Sequence, residues 1–510
     1  MNYYSTNKNA PIASLQKAVV KGLAEDKGLF MPENIKKLPK AFFDNIENMS
    51  FQEMAYVVAD AFFGEDIEKE ALQEIVYETL NFEVPLVPVT ENIYSLELYH
   101  GPTMAFKDVG ARFMSRLLGY FIQKEGEKSV KVLVATSGDT GSAVANGFLG
   151  VQGIHVYVLY PKGLVSPIQE CQFTTLGQNI TALEVDGTFD DCQALVKNAF
   201  MDNELNATLK LTSANSINVA RFLPQAFYYF YAYAQLKKMG KADEMVISVP
   251  SGNFGNITAG LFAKKMGLPI KRFIAANNRN DIFFQYLQTG IYTPRPSIST
   301  IANAMDVGDP SNFARILDLY ENSHSAISQE ISGTSYTDEQ ITSTLKKCYQ
   351  QNDYLLDPHG ACAYRALKEN LKDTENGVFL ETAHPAKFLQ TVEGIIEEEV
   401  VIPEKLQVFM KGKKKAVSMS KEFAMFKDYL MNEGLTNDNK KTIILKSYDN
   451  QAIAHLEKQL LESADIPCFL SDESIVNLYP MFSSPMGGVK LHVFEEDEEK
   501  ALGILGTINQ

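Results

Sequence analysis

Apolar residues recur every three or four positions over Phe51–Phe63 and Ile67–Leu80, the spacing of helices with one buried face. Residues 1–92 therefore read as a mainly helical segment, with GLAEDKGLFMPE (22–33) as a loop. From about residue 93 the texture changes. Short apolar, β-rich runs are each followed by a Gly-rich turn and a helical pattern. VKVLVATSGDTGSAVANGF (130–148), HVYVLYP (155–161), NITALEV (179–185) and MVISVPSGNFGNITAGLFAKKMG (245–267) are such runs, and RFIAANN (272–278) and GVFLETAHPAKF (377–388) add two more strands. Strands alternating with helices predict parallel βαβ units, with ligands at the strands' carboxyl ends. The Gly-rich turns fall at those ends. Residues 93–432 are thus expected to form an α/β region, and the polar stretch 433–441 a linker. Beyond it, TIILKSY (442–448), a helix with Ile453, Leu456 and Leu460 on one face, IPCFLS (466–471), VKLHVFE (489–495) and a last helix from near Glu496 predict a β-α-β-β-α module over 442–510. SSPMGG (483–488) reads as a hairpin connection that could instead receive a small ligand or partner.

A chain of 510 residues exceeds one hydrophobic core, which agrees with this division. Its 47 Lys and Arg against 63 Asp and Glu leave a net charge of −16, which speaks against binding a phosphate backbone. No apolar run is long enough for a membrane span, and MNYYSTNKNAPIASL lacks the pattern of a signal peptide. Five scattered cysteines (171, 192, 348, 362, 468) without a CxxC pair predict a reducing, cytoplasmic setting. His359 and Cys362 have a spacing a metal could use, but no second pair completes a site, so no metal is expected.

Four local features carry chemistry. In LYHGPTMAFKDVGARF (98–113), Lys107 stands at the start of a helix beside apolar residues. A cation is disfavoured there, and burial lowers a lysine pKa, so both favour the neutral amine of a Schiff base. The alternative is a surface lysine whose stem lies along its apolar neighbours. SGNFGN (251–256), between a strand and a helix, can present backbone N–H groups to an anion, or be a plain turn. TSGDTGS (136–142) is a second turn of the same kind. Thr382, just beyond a strand in ETAHPAKF, could bond a ring nitrogen or be structural.

Taken together, LFMPE, LYHGPTMAFKD, ATSGDTGSAV, TSANSINVAR, VPSGNFGN, NAMDVGDPSN, DPHGACAYRAL and TAHPAKF resemble the threonine synthase family of fold-type II pyridoxal-phosphate enzymes, in order over roughly residues 1–432. The resemblance implies two α/β subdomains with mainly parallel sheets and pyridoxal 5'-phosphate between them. It implies that Lys107 carries the cofactor, that Gly252, Asn253, Phe254, Gly255 and Asn256 hold its phosphate mostly through backbone amides, and that Thr382 faces its ring nitrogen. It places the substrate's carboxylate on the loop of Ser137, Gly138, Asp139 and Thr140, with Arg112 and Lys387 as guesses for the substrate phosphate. The implied reaction is that of a carbon–oxygen lyase acting on O-phospho-L-homoserine and water to give L-threonine and phosphate, in a monomer or weak homodimer. Two readings compete: a dehydratase or phospholyase on the same fold, and a non-catalytic phosphate-ligand sensor. Residues 442–510 resemble a small signal-transducing domain family with a ferredoxin-like fold, and are expected to be an accessory module.

Overall fold

The structure, a computed structural model, describes residues 1–125, 129–433, 442–448, 450–464, 466, 468–471, 489–494 and 497–506. The chain divides into two compact units. Met1–Met201 with Lys210–Lys421 forms the first, and Asp202–Leu209 with Glu422–Gln510 the second. The first unit thus ends at Lys421, ahead of the boundary at 432 that composition suggested. The proposed linker falls almost wholly outside the described residues, as does SSPMGG; Glu433 itself ends a helix, Phe423–Glu433.

In the first unit, β1 (Asn2–Ser5), β2 (Ala13–Ser14) and β3 (Phe30–Pro32) make a small antiparallel sheet ordered β2-β1-β3. This corrects the expectation of loop over 22–33. All three residues of β3 are buried, and a three-residue strand is too short to show a period. Helix Phe51–Phe63 forms where the spacing predicts it and starts at a Ser50–Glu53 capping box. Helix Lys69–Thr79 follows.

The chain then supplies β4 (Leu86–Pro88), β5 (Ile93–Glu97), β6 (Val130–Ala135), β7 (Ile154–Pro161), β8 (Ile180–Asp186), β9 (Leu211–Ser213), β10 (Met245–Pro250), β11 (Arg272–Asn277), β12 (Ile331–Ser335), β13 (Asn376–Glu381) and β14 (Val417–Ser420). One sheet runs β12-β11-β10-β13-β5-β4, parallel except for β4; the other runs β14-β8-β7-β6-β9, parallel throughout. The α/β class is as the sequence predicts. Of the strands it did not name, β4, β9, β12 and β14 lie at sheet edges, where one flank is unpaired and no continuous apolar run is needed, while β5, between β13 and β4, is a run of only five residues. Just before β14, Lys414 pairs with Glu170 and with Glu184 of β8.

The second unit contains β15 (Thr442–Tyr448), helix Gln451–Ser463, β16 (Cys468–Ser471), β17 (Val489–Phe494) and helix Glu498–Gly506, with an antiparallel sheet ordered β15-β17-β16. Among the described residues these elements follow the β-α-β-β-α order expected, a small α+β module. One detail is corrected. Ile453 and Leu456 are exposed, and the first helix buries Ala454 and Leu461 against Val489, Leu491 and Val493. The buried row lies one residue round the helix from the apolar row read off the sequence.

Candidate active site

The segments before Lys107 and after β13 are zipped together. The Phe106 N–H donates to the Thr382 carbonyl at 2.8 Å and the His384 N–H to the Met104 carbonyl at 3.1 Å, with Ala105 and Ala383 bridged between them. This brings Lys107, the first residue of helix Lys107–Glu125, beside the buried Thr382. Burial pushes the Lys107 amine down to about 8; Asp139 works against the shift, and Arg221 and Lys387 add to it. An amine of that pKa exchanges protons readily near neutral pH.

Across from it, the turn after β6 is built on Gly138, whose φ of 144° a side chain would strain. Thr136 Oγ1 accepts from the Gly138 and Gly141 N–H groups at 2.9 and 2.8 Å, which fixes the start of helix Asp139–Phe148. The Asp139 carboxylate is enclosed, 2.6 Å from the Lys387 ammonium and 2.9 Å from Gln169 Nε2. Burial alone would raise its pKa, but Lys387 and then Lys107 outweigh that and hold it at about 2. An anion so placed cannot itself receive a carboxylate. What this loop can offer an anion is therefore its backbone and the half-exposed Ser137 and Thr140.

The two side chains guessed for the substrate phosphate have protein partners. Lys387 is committed to Asp139 and to the Thr103 carbonyl, 2.8 Å away. Arg112 donates to the Thr79 carbonyl at 3.0 Å, the Glu78 carbonyl at 2.5 Å and Asn81 Oδ1 at 3.0 Å, closing the end of helix Lys69–Thr79. Five residues along a helix turn a side chain about 140° from Lys107. The buried cation the sequence reading passed over is Arg221, in TSANSINVAR. It donates to the Ala214 carbonyl, while its Nε is enclosed without a hydrogen-bond partner. Burial brings its pKa down to about 10, with Asp108 opposing. The only sequence signal was an arginine flanked by apolar residues, Val219, Ala220 and Phe222.

At the end of β10 the chain turns through Ser251–Phe254 into helix Gly255–Lys265, with Phe254 left-handed at φ 62°. A Cβ on Gly252 would lie 2.8 Å from the Ala304 carbonyl oxygen, so backbone packs directly on backbone. Asn253 donates to Ser216 Oγ at 2.7 Å and accepts from the Ser311 N–H at 2.6 Å; Asn312 donates to the Asn253 carbonyl at 3.0 Å. Asn256 turns inward to the Pro250 carbonyl and the Ile257 N–H, both at 2.9 Å. With these side chains spent on protein groups, the turn offers an anion its backbone and the helix start. Beneath it the fully buried Arg315 donates to Asn312 Oδ1 at 2.6 Å, to the Ile217 carbonyl at 2.6 Å and to the Phe30 carbonyl of β3 at 3.1 Å.

Behind Thr382, Asp357 accepts from His359 Nδ1 at 2.6 Å and from the Ala383 N–H at 3.2 Å, while His359 Nε2 accepts from the Ala304 N–H at 3.1 Å. Both ring nitrogens are thus occupied, and no cluster of three metal-ligating side chains occurs among the described residues. A half-buried amine of lowered pKa, a glycine turn at a helix start and a threonine at a strand end together fit pyridoxal phosphate: an imine link at one end and a phosphate seat at the other.

The family described as pyridoxal-phosphate dependent enzyme matches residues 82–382, threonine synthase N terminus matches 2–80, and threonine synthase, C-terminal matches 359–430. The threonine synthase of Haemophilus influenzae is 44% identical over 431 residues, 84% of this chain and 100% of the relative; that of Escherichia coli is 43% identical over 406 residues, 80% and 94%. The crystal structure of the Escherichia coli enzyme aligns with a TM-score of 0.80 at 41% identity, covering 85% of this chain and 100% of that one. The pyridoxal-phosphate-bound threonine synthase of Brucella melitensis aligns with a TM-score of 0.80 at 34% identity, covering 86% and 100%. These family matches end at residue 430, before the sheet of the second unit. The chain belongs to the threonine synthase family of pyridoxal-phosphate-dependent enzymes.

Proposed function

We propose that the enzyme acts on O-phospho-L-homoserine and water to give L-threonine and phosphate, with Lys107 as the residue that links the cofactor and moves protons. Pyridoxal phosphate supplies an electron sink for charge developing at the substrate's α-carbon. Lys107 takes the proton from that carbon and returns one during the shuttling at Cβ, a task suited to an amine whose pKa burial has brought to about 8. The backbone of Gly252, Asn253, Phe254, Gly255 and Asn256 holds the cofactor phosphate, and the Thr382 hydroxyl faces its ring nitrogen. A hydroxyl there leaves the ring a milder sink than a carboxylate would, which suits elimination and replacement over transamination. The Ser137–Thr140 loop orients the substrate carboxylate, while Asp139 balances the charge of Lys387. Arg221, a buried cation close enough to Lys107 to lower its pKa, adds positive charge to this site.

The observation that carries this reading is the zipped pair of segments that sets Lys107 beside Thr382. Product analysis on O-phospho-L-homoserine tests it: threonine and phosphate are expected, and 2-oxobutyrate with ammonia as the sole product would replace it with the phospholyase reading. No helix among the described residues is long and apolar enough to cross a membrane, and the five cysteines are unbridged, which supports placement in the cytoplasm. The second unit's sheet is assigned an accessory role in ligand-sensing control or self-association, and the enzyme is taken to be a monomer or weak homodimer.

A further inference from the structure

Two adjacent tyrosines of helix Ala226–Lys238 reach the two ends of the cofactor site. The Tyr228 hydroxyl donates to the Phe106 carbonyl at 2.6 Å, in the peptide group that leads into Lys107. The Tyr229 hydroxyl donates to the Asn256 carbonyl at 2.6 Å, in the first turn of the helix after the phosphate turn. Both side chains are buried, and burial lifts both pKa values far above the ordinary tyrosine range, so both remain donors.

The first bond holds the residue from which helix Lys107–Glu125 starts: the buried Tyr228 hydroxyl fixes the Phe106 carbonyl, one peptide group before Lys107. On its other side Phe106 is held by its N–H bond to Thr382. Tyr229 is equally fixed: a Cβ on Gly260 would come within 2.6 Å of its ring, so the ring packs on helix Gly255–Lys265 at a position that has no side chain.

We propose that Tyr228 and Tyr229 are a pair of positioning residues that set the separation between Lys107 and the 252–256 turn to the length of one pyridoxal phosphate. Neighbouring residues on a helix project about 100° apart, so one rigid helix serves as a fork with a hydroxyl on each tine. The proposal rests on the assignment of Lys107 and the 252–256 turn to the cofactor.

The experiment compares Tyr228→Phe and Tyr229→Phe with the parent enzyme for binding of pyridoxal 5'-phosphate and of pyridoxal, which lacks the phosphate. Dissociation constants are read from the visible absorption of the lysine-bound form, and apo-protein melting is recorded alongside. Tyr228→Phe is expected to weaken both compounds alike, on the order of tenfold for one buried hydrogen bond. Tyr229→Phe is expected to weaken the phosphorylated compound by a similar factor and leave pyridoxal unchanged. A purely structural role would lower apo-protein melting in both variants while leaving both dissociation constants of Tyr228→Phe, and the ratio of the two for Tyr229→Phe, at the parent values, and that outcome overturns the proposal. Should one variant not fold, the other still decides its own half of the split. Lys107→Ala separates the two layers: persistence of the lysine-bound absorption would sink the site assignment, whereas its loss without the tyrosine split would sink this inference alone.

Discussion

Replacing Lys387 by Met takes the cation out of an enclosed ion pair and strands its partner. The Lys387 side chain is 0% exposed and that of Asp139 5%, with 2.6 Å between the charges. Breaking a buried pair by removing one member costs ~3–5 kcal/mol, because the survivor stays charged in a poorly polarisable surrounding. A second route gives a similar scale. Burial raises the Asp139 pKa, yet Lys387 and Lys107 bring it to about 2. Against an unfolded value of ~3.9, that difference is worth ~2–3 kcal/mol. The Thr103 carbonyl, which accepts from Lys387 at 2.8 Å, is also left unpaired, at ~1 kcal/mol or more. Urea unfolding at pH 7 should therefore show the variant less stable by ~3–5 kcal/mol. The sign with pH follows from the depressed carboxylate: its contribution is complete above the unfolded pKa and is lost as pH falls towards about 2. The deficit should accordingly narrow between pH 5 and pH 3. Lys387→Met combined with Asp139→Asn should recover most of the loss, since no charge is then stranded. A deficit below ~1 kcal/mol at pH 7, or one that does not shrink on acidification, would refute the reasoning.

Other outcomes follow from the same geometry. Lys107→Ala should cut turnover by several orders of magnitude with the fold retained; phosphate release above roughly a hundredth of the parent rate, without added amine, would remove the lysine from its role. Gly252→Ala places a Cβ 2.8 Å from the Ala304 carbonyl oxygen and should weaken pyridoxal phosphate by about tenfold or more, read by equilibrium dialysis. Truncation after Glu433 should leave cofactor binding and threonine formation intact, because all assigned site residues precede residue 390; a folded truncation that cannot bind pyridoxal phosphate would return the tail to the active site.

What the sequence made legible was whatever is local. The turn after β10, the turn after β6 and the helix start at Lys107 are each contained in one short segment, and each stands where its glycines and apolar runs put it. What it hid depends on direction. Arg112 and Lys387 are near the right elements, but their side chains are claimed by the Thr79 and Thr103 carbonyls, partners distant in sequence. Tyr228 and Arg221 are seen to matter only once helix Ala226–Lys238 and the segment after β9 are folded against residues 106–110. In the tail the helix was read correctly and its face was not, because Ile453 and Leu456 are more apolar than the Ala454 that packs.

Arg315 has a consequence for the order in which the molecule can be made. Its guanidinium joins the Phe30 carbonyl near the start of the chain to Ile217 and Asn312, which abut the phosphate turn. During synthesis Phe30 leaves the ribosome first, yet nothing can occupy its carbonyl from this side until residue 315 has followed. The contact beneath the turn after β10 is thereby made late, after about three-fifths of the chain has been translated. A nascent chain arrested before Arg315 should fail to retain pyridoxal phosphate even with Lys107 and the glycine turn already exposed. Cofactor capture then doubles as a report that the two distant stretches have met.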